Sequence, residues 1–132
     1  MARAAGYAVS RGAEIDPQPS DAALVVASHG DEEERALARA LEAGVGYVGL
    51  VASPRRGAAV LASLDVDDAL RALVHTPAGL DIGAATVEET AIAVLAEITA
   101  GRAGRPGVSL RDSGGPIRRD RGAADALVAR GA

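Results

Sequence analysis

Three short apolar runs, each followed by a stretch with apolar residues three or four positions apart, set the pattern of this chain. The first run is Ala22–Ser28 (AALVVAS), and continuous runs of that length are typical of strands buried on both faces of a parallel sheet. Behind it the spacing predicts a helix over 32–43, with Asp31 as N-cap, Leu37 and Leu41 on the apolar stripe and Gly44 closing the C-terminus. Tyr47–Ala52 (YVGLVA) opens the second unit. Ser53 and Pro54 then supply an N-cap and a first helical residue, and Val60, Leu61 and Leu64 line that helix's buried face. Asp65–Asp68 interrupts it, with a short helical turn expected through Leu70. The third unit consists of Leu73–Thr76, a glycine-containing loop over 77–85 and a helix over 87–100. Thr86 with Glu89 predicts a capping box, and Val87, Ala91, Val94, Leu95 and Ile98 fall on one helical face. Ahead of these units, residues 2–5 read as the end of a helix, 7–9 as a short strand and 13–21 as a loop. Beyond Gly104 the periodicity dissolves.

Strands alternating with helices predict an α/β fold, a three-layer Rossmann-like parallel sheet with helices on both faces. One domain is expected over 1–103. A flexible tail with a short terminal helix near 123–130 is expected over 104–132. Ligands of such sheets bind beyond the carboxyl ends of the strands. That rule directs attention to 28–31, 53–56 and 75–83.

Composition changes the picture in three ways. The core must be aliphatic, because the chain has no Phe or Trp and only Tyr7 and Tyr47 as aromatic residues besides its histidines. The net charge is −4 and no basic stretch alternates with aromatics, which argues against nucleic acid as a partner. There is no cysteine, so this chain holds no disulfide framework, thiolate metal site or Cys nucleophile. No apolar run approaches the roughly 20 residues of a membrane span, and a cytoplasmic protein is expected.

Ser53-Pro54-Arg55-Arg56 is the strongest candidate for anion binding. Amides at a helix N-terminus, the positive end of the dipole and the Arg55 and Arg56 guanidinium groups suit a phosphate or pterin phosphate. The alternative is a pair of solvated first-turn arginines. Ser28 and His29 sit just past a strand end, where His29 either donates to a ligand or satisfies a loop carbonyl. The acidic run Asp31–Glu34 reads as a solvated first turn matched to the dipole, and it would repel phosphate there. In the loop 77–84, Gly79 and Gly83 permit positive φ or close backbone approach to a ligand. Asp81 either binds a ribose or pterin group or fixes the loop through its own backbone. His75 closes the third strand and is read as half-buried and structural. No GxGxxG, Walker-type loop, metal-ligand spacing or nucleophile elbow is present.

The blocks Ala22–Gly30 (AALVVASHG), Tyr47–Arg56 (YVGLVASPRR) and Pro77–Ala84 (PAGLDIGA), followed by Thr86–Ile98 (TVEETAIAVLAEI), resemble the XdhC/CoxI family over about residues 2–102. The resemblance implies an accessory protein in maturation or insertion of the molybdenum cofactor (molybdopterin). The implied partners are a molybdenum hydroxylase client of the xanthine dehydrogenase or CO dehydrogenase type and a cysteine desulfurase. It aligns His29, Ser53, Arg55, Gly79, Asp81, Gly83 and Glu89 with family positions. Ala52 stands where the family usually has Gly, and Val87 where Pro often opens the last helix. The resemblance begins within the family's first helix, which implies that the first strand, its glycine loop and the N-terminal XdhC domain are absent here. A sheet so shortened exposes edges, and a homodimer or hetero-oligomer that completes it is expected. The expected role is non-catalytic. The alternatives are an NAD(P)-binding oxidoreductase-like domain and a structural subunit or remnant that needs a partner.

Overall fold

The computed structural model describes residues 1–12, 14–27, 32–114, 116–117 and, as backbone, 128–131. Residues 1–78 with 126–132 form one compact unit, and residues 79–125 form a second. The first unit is an α/β fold built on a parallel sheet. Its elements are β1 (Ala8–Arg11), β2 (Ala23–Val26), α1 (Glu32–Ala43), β3 (Val48–Leu50), α2 (Pro54–Ser63), α3 (Asp68–Arg71), β4 (Val74–His75) and, last in the chain, β5 (Val128–Gly131). The sheet order is β1-β5-β2-β3-β4, with every pairing parallel.

The core follows from strand alternation. Leu24 and Val26 pair in register with Val48 and Leu50, so all four project from one face. There they meet Leu37, Ala40 and Leu41 of α1 and Val60 and Leu64, from α2 and just beyond it. Small aliphatic side chains fill this space because the backbones approach closely. On the opposite face Tyr47 stacks on His75, with ring centroids 4.5 Å apart. The Tyr47 ring lies over Gly49, where a built methyl group would come within 2.7 Å of it. His75 is exposed rather than half-buried, and its structural role is this stacking.

Capping sets the helix limits. At the end of α1, Gly44 adopts φ +78°, its N–H donates to the Leu41 carbonyl, and the Val45 N–H donates to Ala40. This is a Schellman closure. Ser53 caps α2 by accepting from the Arg56 N–H at 3.2 Å, and Asp67 caps α3 through the Leu70 N–H. The Arg71 guanidinium closes the α2–α3 turn by donating to the carbonyls of Leu61, Leu64 and Val66. Residues 2–5 form turns rather than a helix end.

In the second unit, α4 (Val87–Arg102) carries the expected capping box between Thr86 and Glu89. Its buried residues are Ala93, Val94 and Ile98, whereas Val87 is 83% exposed. The stripe is rotated from the expected one because the loop ahead of the helix folds back on it, with the Leu80 N–H donating to the Ala93 carbonyl. Where a terminal helix was expected over 123–130, residues 128–131 are strand. Residues 123–127 lie outside the described residues; an isolated helix of eight residues is marginal, while an interior sheet position pairs the backbone of 128–131 on both sides.

Leu37→Ala and Leu24→Ala, at fully buried positions, are expected to destabilise the first unit by about 2–5 kcal/mol each. Leu73→Ala, at an exposed position, is expected to stay within about 0.5 kcal/mol. Urea titrations followed by circular dichroism measure both, and equal effects at the two kinds of site would contradict the core assignment.

Candidate functional site

The carboxyl ends of β2, β3 and β4 lead into the first turn of α1, the first turn of α2 and Thr76 respectively. In the first turn of α2, Pro54 has no N–H, the Arg56 N–H donates to the Ser53 hydroxyl, and the Gly57 N–H donates to the Ser53 carbonyl at 2.8 Å. The Arg55 N–H and guanidinium are left without a hydrogen-bond partner among the described residues, and Arg55 is exposed. One amide and one guanidinium thus lie beside the positive end of a ten-residue helix, an arrangement whose electrostatics favour an anion.

Arg56 is placed differently. Its guanidinium Nη2 bonds to the Glu33 carboxylate, and Glu33 is only 2% exposed. The acidic first turn of α1 is therefore not wholly solvated, since Glu33 turns inward and ties α1 to α2. Glu34, next to it, accepts from the Ser63 hydroxyl at 2.8 Å and ties the same two helices. Nothing in the sequence marked Glu33 from its acidic neighbours. Apart from its acidic character, its place four residues ahead of buried Leu37 and seven ahead of buried Ala40 was the available signal.

Two buried polar atoms at this edge have no hydrogen-bond partner among the described residues, Arg56 Nη1 and Thr76 Oγ1. Thr76 packs its side chain onto Gly57, where any added methyl group would collide with the hydroxyl. Gly57 thus lets the α2 turn and the end of β4 approach. Sequence reasoning singled out neither residue.

The remaining candidates lie elsewhere. Ser28 and His29 fall outside the described residues, as does Asp31. Gly79, Asp81 and Gly83 belong to the second unit. Gly79 adopts φ +109°, donates its N–H to the Glu97 carboxylate at 3.1 Å, and packs so closely on α4 that a methyl group would meet Ala93 Cβ at 3.0 Å. Its glycine is explained by that packing. Gly83, at φ +72°, has open space around it, and Asp81 is exposed and makes no hydrogen bond among the described residues. The loop is fixed by the Gly79 and Leu80 amides and not by Asp81. Apart from this edge, an open groove runs between residues 14–17 and α1, lined by Glu14, Asp16, Arg35 and Arg39 among others. Its charges are mixed. Among the described residues no group of three or more His, Asp or Glu could hold a metal ion, and no helix is long and apolar enough to cross a membrane.

Residues 2–98 match the family described as the XdhC Rossmann domain. The chain belongs to this family. It is also 35% identical over 96 residues to the uncharacterized protein YqeB of Escherichia coli (strain K12). That alignment covers 70% of this chain but only 17% of YqeB, so the chain spans less than a fifth of that relative's length. The XdhC-family match contains Ser53, Arg55, Arg56, Gly79, Asp81 and Gly83, and it ends inside α4.

Arg56→Met leaves the Glu33 carboxylate without its cation. It is expected to cost about 1–3 kcal/mol, below the value for a fully buried pair because Arg56 is 31% exposed. Adding Glu33→Leu should recover most of that loss in the same urea titration, and strictly additive losses would contradict the pairing.

A second prediction concerns Glu89. Its carboxyl is held below the ordinary Glu range by the Ala85 N–H first and the Thr86 N–H second. With the folded pKa lowered, the stabilisation is complete above the unfolded value near ~4.3 and is lost as pH falls through the folded value. The Ala85 and Thr86 amide resonances should therefore shift in acid, below the usual Glu range. Glu89→Gln, which keeps an acceptor oxygen but does not titrate, should remove that shift. An unchanged acid profile in the variant would contradict the assignment.

Proposed function

We propose that this chain is a non-catalytic accessory module in molybdenum-cofactor maturation or insertion, and that the Ser53–Arg56 turn holds the phosphate end of the cofactor. The observation that carries the reading is the Arg55 N–H and guanidinium, unengaged among the described residues, at the carboxyl edge of a parallel sheet, where such folds take their ligands. Membership of the XdhC family supports the choice of a molybdenum-enzyme cofactor as that ligand.

The residues present fit the phosphate of a phosphorylated pterin. Arg55 offers a charge-assisted donor, the α2 dipole favours an anion, and Arg56 Nη1 and Thr76 Oγ1 are polar atoms at the same edge still without partners among the described residues. When bound, the cofactor carries the molybdenum and its sulfur ligands. This chain binds and orients, since it has no cysteine with which to carry sulfur. Sulfuration on this reading falls to a partner cysteine desulfurase, and the loaded module docks to a molybdenum hydroxylase client. Arg55 is exposed and Ala52 packs against the core, so the anion enters from the solvent side.

Thermal melts by circular dichroism, with and without released molybdopterin, test the proposal. The parent chain should melt higher with the cofactor, because a ligand of the native state stabilises it by mass action. Arg55→Ala should weaken binding about 10- to 100-fold, as expected for one charge-assisted contact. Arg111→Ala, at an exposed site in the second unit, should leave binding unchanged. A parent melt unmoved by cofactor would sink the functional reading. Cofactor binding that is indifferent to Arg55→Ala would sink the site.

A further inference from the structure

An interior position of the sheet, beside its outermost strand β1, is filled by β5, the last of the described strands in the sequence. β1 and β2 are not paired with each other, and β5 lies between them, parallel to both. Residues 8–11 pair in register with 128–131 on one side, and residues 23–25 pair with 129–131 on the other. In doubly wound sheets of strand order 3-2-1-4-5-6, the strand at this place is the first in sequence. Here the chain passes through all of the second unit before residues 126–132 rejoin the first unit.

Two consequences follow from backbone hydrogen bonding. Among the described residues β1 is held on the sheet only through β5, because it pairs with no other described strand. β2 is largely buried, and without β5 its Ala23–Val25 edge would present unpaired amide and carbonyl groups beside the apolar core. A gap bounded by two parallel strands, already joined covalently through residues 12–22, is a preformed acceptor for an extended segment. Main-chain bonds on both sides supply affinity in such strand addition.

We propose that the gap between β1 and β2 is a strand-binding site and that its ligand is the chain's own C-terminal segment, inserted parallel to both walls. The segment is therefore replaceable by the same sequence supplied in trans. This stands independently of the cofactor reading.

The full chain has no cysteine, so Ser10→Cys with Arg130→Cys, a register pair, gives a clean cross-linking test. Oxidation at low protein concentration should yield an intramolecular disulfide. No cross-link would overturn the proposal, and a cross-link joining two chains would assign the strand to a second copy and overturn the intramolecular insertion. In the full chain carrying Ala129→Pro, a residue central strands do not accept, amide protection at 8–11 and 23–25 should fall at least about tenfold while the amides of α1 remain protected. A peptide of residues 123–132 in excess should restore it, and a peptide with the same Pro should not. Unchanged protection in the substituted chain, or no rescue by the parent peptide, would overturn the proposal. Should Ala129→Pro prevent folding, the cross-linking result decides alone.

Discussion

A strand buried in the interior of a sheet must find hydrogen-bond partners on both edges, and in this protein that requirement bears hardest on β2. One edge of β2 is satisfied by β3, in a register that aligns Leu24 with Val48 and Val26 with Leu50 and thereby builds the floor of the aliphatic core. The other edge is satisfied by β5, from the far end of the chain. With no Phe or Trp to fill gaps, the core depends on backbone proximity, and backbone proximity depends on both ladders. The helices α1 and α2 settle on that floor, and their N-termini are thereby brought to the carboxyl edge of the sheet.

At that edge the two helices are joined by charge. Glu33 takes one guanidinium of the Arg55-Arg56 pair, Arg56, while Arg55 is exposed to solvent. A partly buried ion pair of this kind contributes more to fixing the relation of two elements than to net stability. The arrangement separates two roles that adjacent arginines could have shared, one internal and one facing solvent. The second unit has its own logic. Gly79 and Leu80 are tied to α4, and the Thr86–Glu89 box starts that helix.

Much of the local structure was legible because it rests on short-range rules. The span of α1, the Ser53-Pro54 start of α2, the turn at Asp67–Arg71 and the capping box of α4 each follow from a cap or a period confined to a few residues. What escaped the sequence was decided by partners distant in the chain. Glu33 looks like its acidic neighbours until Arg56, 23 residues on, turns towards it. Val87 keeps the helical period of Val94 and Ile98 but is left exposed, because the loop packing that sets the buried face acts further along the helix. The segment 128–131 has the small residues and the Arg of a marginal helix and becomes a strand because two strands flank its place. At the site, the Ser53 cap and the exposure of Arg55 were readable. The engagement of Arg56 and the part played by Thr76 and Gly57 required the third dimension.

The most direct test of the central claim is a backbone amide NMR titration of the isotopically labelled full chain with released molybdopterin. The account predicts saturable shifts centred on the amides of Ser53, Arg55, Arg56 and Gly57, with the β1 and β5 amides unmoved. Shifts that leave the α2 turn untouched, or no saturable shifts at all, would contradict it.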